Sequence, residues 1–235
     1  MNRKSIINTA QDKNVTLSRE KKFKKICFAI ILILSTNLVW AQQFPEVKTE
    51  FDRKVKSFLE ENSRRWRDLN VPLSDGKVLY DIIVENNYKS AVEIGTSTGH
   101  SAIWIAWALS KTGGKLITIE IDKNRYLQAI ENFKQAGVAD YIDVRLGDAH
   151  ELVPGLSGTY DFVFSDADKD WYKQYFISMD AKIITGGCFV AYNVNQRSSD
   201  MRDFVTYIEN ADNYKTTINR ATGEGISISY KTKEK

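Results

Sequence analysis

The sequence predicts an α/β fold built on one mostly parallel sheet of seven strands that carries helices on both faces. Between residues 89 and 194, short apolar or β-branched runs alternate with longer segments of helical periodicity. Such alternation indicates parallel strands that are linked by helices, with both faces of the sheet covered. The last two strand-like runs, residues 214–219 and 226–231, have period-2 alternation and are joined through glycines. We therefore expect them to form an antiparallel pair at one edge.

The first 41 residues are predicted to be a leader that precedes the globular body. Four lysines within residues 21–25 are followed by an apolar run over residues 26–41, which ends at the small residue Ala41. This order is typical of a secretory signal peptide, although the run could instead anchor the chain in a membrane. We expect residues 1–41 to be the signal peptide or anchor and residues 42–235 to form one domain. Under either interpretation the domain is exported from the cytoplasm.

The charge argues against a nucleic-acid partner, and the cysteine content excludes an internal disulfide in the body. The chain has 33 Lys and Arg and 30 Asp and Glu, but eight of the basic and two of the acidic residues lie in the first 41 positions. The body is therefore slightly acidic, with a net charge of −3, which argues against nucleic acid as a partner. The body contains a single cysteine, Cys188, so it cannot form an internal disulfide; we expect a buried thiol.

Two helices are predicted ahead of the sheet. Residues 51–69 are rich in charged side chains, with apolar residues at roughly helical spacing. The segment 71–76, which contains a proline and a glycine, breaks this pattern. Ser74 or Asp75 can cap a second helix that continues to about Asn86.

The alternating region is predicted to hold five strands and the helices that connect them. The predicted strands are residues 89–93, which lead into the first strand, 115–121, 141–146, 160–165 and 188–194. The predicted helices are residues 102–109, 124–135, 149–156 as a short helix or turn, 170–183 and 199–209. With the closing antiparallel pair, this order corresponds to a Rossmann-like sheet.

The first candidate ligand site is the turn between the first strand and the helix that follows it. Glu93 lies near the strand end, Gly95 permits a sharp turn, and Gly99 permits close approach of a ligand or strand. The first N–H groups of the helix favour anionic ligand groups such as a carboxylate. The spacing Gly-x-x-x-Gly differs from the dinucleotide fingerprint Gly-x-Gly-x-x-Gly, which disfavours a nicotinamide-dependent oxidoreductase.

Polar residues also follow the next three strands, at the sheet edge where α/β proteins bind ligands. Glu120, which lies 25 residues after Gly95, is placed to accept hydrogen bonds from both hydroxyls of a ribose. Asp148 and Ala149 follow the third strand and are suited to flank an adenine ring. The fourth strand is followed by Asp-Ala-Asp-Lys at residues 166–169.

Together these motifs resemble the class I, S-adenosylmethionine-dependent O-methyltransferases of the catechol and caffeoyl-CoA type. The resemblance extends from about residue 70 to residue 230. Its most specific parts are the motifs Val-Glu-Ile-Gly-Thr-Ser-Thr-Gly-His-Ser at 92–101, Thr-Ile-Glu-Ile-Asp at 118–122, and Tyr-Asp-Phe-Val-Phe-Ser-Asp-Ala-Asp-Lys at 160–169, with Tyr172.

The resemblance implies S-adenosylmethionine as the cofactor and a role for each matching residue. The residues expected to bind the cofactor are Val71, Glu93, Gly95, Thr96, Ser101, Glu120, Asp148, Ala149 and Asp166. Val71 and Asp166 would contact its methionine part, Glu120 its ribose, and Asp148 and Ala149 its adenine. The expected catalytic residues are Lys169, as the base that takes the hydroxyl proton, and Asp166.

The resemblance also implies a Mg²⁺ site, which this sequence matches only in part. Asp166 and Asn193 correspond to metal ligands, but Tyr192 stands where the family has an aspartate. A bound Mg²⁺ would lower the pKa of the acceptor hydroxyl and fix its position. Because hard cations prefer oxygen ligands and one anionic ligand is missing, the sequence disfavours a metal at Asp166 and Asn193. Without a metal, nearby carboxylates favour the charged form of Lys169, so the mechanism is altered or the acceptor is not a catechol.

The sequence therefore predicts an S-adenosylmethionine-dependent O-methyltransferase that acts on a hydroxyl of a small, phenolic acceptor, with metal independence left open. The alternative is a protein that binds the cofactor at a degenerate metal and catalytic site without transferring a methyl group. We expect a small-molecule acceptor, no nucleic-acid partner, and a membrane contact only if the leader is not cleaved. The sequence is also compatible with a homodimer.

Overall fold

The computed structural model describes residues 44–64, 66, 70–220 and 223–234. The chain divides into two compact units, Met1–Glu46 and Val47–Lys235. Only residues 44–46 of the first unit are described, so the predicted leader at residues 1–41 lies outside the described residues. In the part of the chain that the structure describes, no helix combines the length and apolar character needed to cross a bilayer.

Seven strands of the described residues form one sheet in the order β3-β2-β1-β4-β5-β7-β6. The strands are β1 Ser90–Ile94, β2 Lys115–Glu120, β3 Ile142–Leu146, β4 Tyr160–Ser165, β5 Ile183–Tyr192, β6 Tyr214–Asn219 and β7 Ile226–Lys231. Neighbouring strands from β3 to β5 pair in parallel, whereas β7 pairs antiparallel with both β5 and β6. The predicted α/β sheet with an antiparallel edge is thus confirmed.

The helices surround this sheet. They are α1 Glu50–Glu61, α2 Leu73–Glu85, α3 His100–Thr112, α4 Lys123–Ala136, α5 Ala149–Gly155, α6 Tyr172–Asp180 and α7 Ser199–Glu209. The bounds of β4, β6, β7 and α7 coincide with the prediction, because clear alternation or a clear cap marks both ends. Ser198, for example, accepts a hydrogen bond from the backbone N–H of Met201 and so caps α7.

Both helices that precede the sheet depart from the prediction. The first ends at Glu61 rather than at residue 69, because Asn62 closes it: its side-chain amide donates to the Phe58 carbonyl (2.8 Å). The second begins at Leu73 with Pro72 in the capping position, so neither Ser74 nor Asp75 caps it. Proline tolerates this position because its missing N–H is not needed there.

The prediction was also wrong about the helix between β4 and β5 and about the residue at which β5 begins. The helix expected over residues 170–183 is a short 3₁₀ turn followed by α6, which ends at Asp180. The fifth strand begins at Ile183, opposite Tyr160, and bulges before regular pairing resumes at Cys188. Gly186 has φ +86° within the bulge, so the two glycines lie inside the strand instead of preceding it. Cys188 is fully buried, as expected.

Part of the core is formed by α3, in which every residue from His100 to Leu109 is buried. This helix is apolar on all sides because the sheet, α1 and α2 all pack against it. Trp104 and Trp107 are fully buried, and their ring centroids lie 5.6 Å apart. The packing of α3 on β2 and α2 helps to fix the turn between β1 and α3, where the candidate site lies.

A buried carboxylate ties α1 to this core. Asp52 closes a capping box with Thr49 and also accepts hydrogen bonds from the Trp107 indole N–H (2.8 Å) and from the Lys111 ammonium. Burial alone would raise the pKa of Asp52, but these hydrogen bonds outweigh it and hold the pKa well below its usual range. The carboxylate is therefore charged in the folded protein at neutral pH.

We expect Asp52→Asn to lower the free energy of unfolding at pH 7 by about 2 kcal/mol, because Lys111 and Trp107 lose a charged acceptor. The folded-state pKa of Asp52 lies below the unfolded value of about 4. The stabilisation is therefore complete above about pH 4 and is lost as the pH falls further. Urea unfolding at pH 7 and at pH 3 measures both effects.

The matched control is Asp143→Asn, which removes an exposed ion pair with Arg145 and should change the stability by less than about 1 kcal/mol. Equal stabilities of the wild type and Asp52→Asn at pH 7 would contradict the role of the buried carboxylate.

Candidate active site

A cavity of about 700 Å³ lies at the carboxyl ends of the parallel strands. Among the sequence-predicted residues, those that line it are Gly95, Glu120, Asp148, Ala149, Asp166, Lys169, Tyr192 and Asn193. Val71, Glu93, Thr96 and Ser101 are buried and are not among the residues that line it. The structure therefore brings the eight lining residues to the carboxyl edge of the sheet.

The turn after β1 is shaped by two close contacts that only glycine permits. A Cβ on Gly95 would lie 2.6 Å from the carbonyl oxygen of Asp166, and a Cβ on Gly99 would lie 2.4 Å from the Phe133 ring. Both glycines have φ near +97°, a region that favours glycine, and Ser97 between them has φ +48°. The turn consequently lies directly against the segment that follows β4.

Glu120 is the carboxylate at the end of β2, and it is held by backbone donors. The N–H of Ser97 donates to Oε2 (2.7 Å) and the N–H of Asp122 donates to Oε1 (2.9 Å). Each carboxylate oxygen retains a further lone pair, so both can accept hydrogen bonds from a ligand in the cavity.

Glu93 is a fully buried carboxyl group that faces β2. The register of β1 and β2 places it beside Thr118, whose hydroxyl donates to Oε2 (2.6 Å), while Oε1 has no hydrogen-bond partner among the described residues. Burial raises the pKa of Glu93 to about 8, although the hydroxyls of Ser101 and Thr118 favour the charged form. The group is therefore protonated at neutral pH. A nearby cation would lower its pKa and so favour its charged form.

Asp166 and Lys169 form an ion pair at the end of β4. The Lys169 ammonium donates to Oδ1 of Asp166 (2.5 Å) and to the hydroxyl of Tyr172 (2.8 Å). The backbone N–H of Asp166 donates to the Ile94 carbonyl (2.8 Å), which fixes this residue beside the turn after β1. Burial raises the pKa of Asp166 to about 6, although Lys169 favours its charged form.

The side chains at the end of β5 do not fit a divalent cation. Tyr192 is directed at Asp75 of α2; burial raises the pKa of Asp75, and hydrogen bonding from Tyr192 only partly offsets this shift. The Asn193 amide donates to the Glu224 carboxylate (2.9 Å), and Asp166 is bonded to Lys169. Of the described residues, no group of three acidic, histidine or cysteine side chains is arranged to ligate a metal. The contacts of Asp166 and Asn193 with Lys169 and Glu224 therefore compete with a metal site built on these two residues, which the sequence already disfavours.

Another part of the cavity wall is formed by His150, whose ring belongs to an aromatic stack. Asp148 caps α5, because its side chain accepts a hydrogen bond from the N–H of His150 (2.8 Å). The His150 ring stacks on Trp171 at a centroid distance of 3.9 Å, and its Nε2 lies 3.3 Å from Asp168. Ile121, which is 66% exposed, adds an apolar surface to the cavity wall. This part of the wall is suited to a flat, apolar ring.

The sequence alone did not single out several residues of the cavity and its wall. They are Asn70, Pro72, Thr98, Thr118, Tyr175 and Glu224. The pairing of β1 with β2 could have identified Thr118, because it lies directly beside Glu93. No sequence signal marks Glu224, which reaches the site only because β6 and β7 fold back beside β5.

The chain is similar in sequence to a family model and to curated proteins. The model of the family described as O-methyltransferase matches residues 47–203. A catechol O-methyltransferase from Niastella koreensis is 37% identical over 112 residues, which are 46% of this chain and 50% of that protein. Caffeoyl-CoA O-methyltransferase 1 from Eucalyptus globulus is 33% identical over 127 residues, 52% of this chain and 51% of that protein. The chain spans about half the length of these curated relatives.

Solved structures share the fold. The O-methyltransferase of tomaymycin synthesis from Streptomyces achromogenes, in complex with S-adenosylmethionine, superposes with a TM-score of 0.67 at 24% identity, covering 83% of this chain and 95% of that one. The O-methyltransferase from Bacillus cereus, in complex with S-adenosylhomocysteine, gives a TM-score of 0.66 at 22% identity, covering 80% and 92%. At these identities the likeness concerns the fold alone.

We expect Glu93→Gln to remove a pH dependence of stability. A glutamate ionises near pH 4.3 in the unfolded chain but near pH 8 in the folded protein, so between these values the folded state binds more protons. The stability of the wild type therefore falls as the pH rises. From pH 5.5 to pH 7.5 it should fall by about 2 kcal/mol more than that of the variant. Urea unfolding at the two pH values measures the difference.

Glu151→Gln, at an exposed site, serves as the control and should follow the wild type at both pH values. If Glu93→Gln shows the same pH dependence as the wild type, Glu93 is ionised in the folded protein.

Proposed function

The chain belongs to the O-methyltransferase family, and on that basis we propose that it transfers a methyl group from S-adenosylmethionine to a hydroxyl of a small, phenolic acceptor. One observation carries the proposal: Glu120 and the Asp166–Lys169 pair line a single cavity at the carboxyl edge of the sheet, and the buried Glu93 is their neighbour. The names of the curated relatives, which refer to catechol and caffeoyl-CoA, support an acceptor with a phenolic hydroxyl.

The cavity offers a complementary group for each part of the cofactor. Glu120 presents a carboxylate that can accept hydrogen bonds from both ribose hydroxyls, and Ile121 with Ala149 can contact the adenine ring. The N-terminal N–H groups of α3 can bind the carboxylate of the methionine part. Asp166 lines the cavity and can attract its ammonium group, and a bound cation would favour the charged form of the neighbouring Glu93. When bound, S-adenosylmethionine supplies an electrophilic methyl group on a cationic sulfur.

Lys169 is the group that we propose receives the proton of the acceptor hydroxyl. It lines the cavity beside Asp166, within reach of an acceptor oxygen that faces the methyl group. A positive charge bound next to the pair favours the neutral amine, which is the form that accepts a proton. Methyl transfer is an in-line displacement, so fixing the acceptor oxygen on the axis of the breaking bond supplies much of the acceleration.

We further propose that the reaction proceeds without a divalent metal. Three contacts support this view: Tyr192 is directed at Asp75, Asn193 donates to Glu224, and Lys169 occupies an oxygen of Asp166. In this proposal Lys169 and the Tyr192 phenol, rather than a cation, position the acceptor oxygen.

We also propose that the domain acts outside the cytoplasm, either released after cleavage near Ala41 or anchored through residues 26–41. The basic and apolar order of the leader supports this location. N-terminal sequencing of the mature protein distinguishes cleavage from anchoring. Light scattering of the same sample determines whether the protein is the homodimer that the sequence left open.

Calorimetric titration of the full chain should show binding of S-adenosylhomocysteine and S-adenosylmethionine and no binding of NAD. Glu120→Ala should weaken the binding of S-adenosylhomocysteine by about 10- to 100-fold, because two hydrogen bonds to a charged group are lost. Glu151→Ala, at an exposed site outside the lining of the cavity, is the control with unchanged affinity. Binding of NAD without S-adenosylhomocysteine would refute the cofactor assignment.

Incubation with labelled S-adenosylmethionine and a panel of phenols should give methyl transfer that survives EDTA. Lys169→Met should lower kcat by at least about 100-fold while S-adenosylhomocysteine still binds, because the proton acceptor is lost. Tyr192→Asp should raise the affinity for Mg²⁺ by supplying a missing anionic ligand.

Activity that EDTA abolishes would contradict metal independence without affecting the proposal of methyl transfer. Tight cofactor binding with no transfer to any acceptor would instead indicate a protein that only binds the cofactor.

A further inference from the structure

A pair of side chains fastens the loop ahead of α2 to the turn after β1. The Asn70 amide donates to the Thr98 hydroxyl (3.0 Å), and the same hydroxyl donates back to the Asn70 carbonyl oxygen at 3.3 Å. The two residues are 28 positions apart, so this pair joins two separate segments of the site. Replacing either side chain with an apolar one would remove both hydrogen bonds at once.

Thr98 provides a fixed attachment point. It is 5% exposed, and its carbonyl accepts a hydrogen bond from the Asn132 amide of α4 at 2.8 Å. It lies between Ser97 and Gly99, which both have positive φ, so the backbone around it has little freedom to move. The backbone of Thr98 is therefore held by contacts that do not involve Asn70.

The segment that Thr98 holds forms one wall of the cavity. Asn70 and Pro72 line the cavity, and Val71 between them is 2% exposed. A second contact reinforces the attachment: the buried His100 ring faces the Val71 backbone. Burial lowers the pKa of His100 to about 3, so this ring is neutral and adds no charge to the site. Thr98 itself is not among the residues that line the cavity.

We infer that Thr98 is a positioning residue for the cofactor: through Asn70 it holds residues 70–72 closed over the methionine end of the cavity. This inference depends on the proposed function, because it assigns S-adenosylmethionine to the cavity. Its consequence is that cofactor affinity and residence time depend on a hydroxyl that does not touch the cofactor. If the pair is lost, the loop opens more often and the cofactor dissociates faster, while the groups around the acceptor oxygen stay in place.

Two substitutions at one site test the inference in the full chain. Thr98→Val has nearly the same shape but lacks the hydroxyl, whereas Thr98→Ser keeps it. Thr98→Val should weaken S-adenosylhomocysteine binding by about 10-fold, which corresponds to the loss of two neutral hydrogen bonds. Most of this change should be in the dissociation rate, and the KM for S-adenosylmethionine should rise with little change in kcat. Thr98→Ser should remain within about 2-fold of the wild type.

Thr112→Val is the matched control, because it removes a partly buried hydroxyl at the far end of α3, the helix that follows the turn containing Thr98. That hydroxyl donates to the Tyr88 carbonyl at 2.5 Å, away from the cavity. The control should keep wild-type affinity even if it lowers the melting temperature.

A double-mutant cycle separates the pair from general effects. On the Asn70→Ala background, Thr98→Val should cause almost no further loss of affinity, because the partner of the hydroxyl is already gone. The inference is overturned if Thr98→Val binds S-adenosylhomocysteine like the wild type, if Thr98→Ser is as weak as Thr98→Val, or if the effects of Asn70→Ala and Thr98→Val are additive. A wild-type chain that does not bind S-adenosylhomocysteine refutes the proposed function instead.

Discussion

The site depends on the close contact between the turn after β1 and the end of β4. Because Gly95 has no side chain, the carbonyl of Asp166 occupies the space that a Cβ would fill, at 2.6 Å from its position. The N–H of Asp166 donates to Ile94 and continues the parallel pairing beyond the last residues of both strands. This contact brings the Asp166–Lys169 pair beside the glycine turn. Any larger residue at position 95 would push the ion pair away from the turn.

A second constraint is the accumulation of buried acids around one cavity. Burial raises the pKa of Glu93, Asp166 and Asp75, and Lys169 is bonded to Asp166. Glu93 also leaves one oxygen without a partner among the described residues. Without a ligand this arrangement is unfavourable, because buried polar groups lose their interactions with water. A ligand with positive charge would restore those interactions, so the acids favour a cationic ligand such as S-adenosylmethionine.

The sequence predicted the sheet and the strand-end residues because both depend on local patterns. Residue alternation and capping residues determined the predicted bounds of α7, β6 and β7. Parallel strands bring their carboxyl ends to the same edge of a sheet in whatever order the strands lie. The sequence did not reveal contacts between distant segments. Asp75 was expected to cap a helix, yet it faces Tyr192, and Asn70 was not linked to Thr98. The bulge in β5 was missed because the pairing of Ile183 with Tyr160 depends on the neighbouring strand.

The attachment of α1 sets a lower limit on how far the domain can be shortened from its N-terminal side. Thr49 and Asp52 complete the bonding of the Trp107 indole and the Lys111 ammonium. A fragment that starts at Asn70 would retain the residues that line the cavity and still place an unpaired indole N–H in the protein interior. The smallest autonomous unit is therefore larger than the set of residues around the cavity, because α3 is completed by Asp52, which lies 55 positions before Trp107 and 59 positions before Lys111.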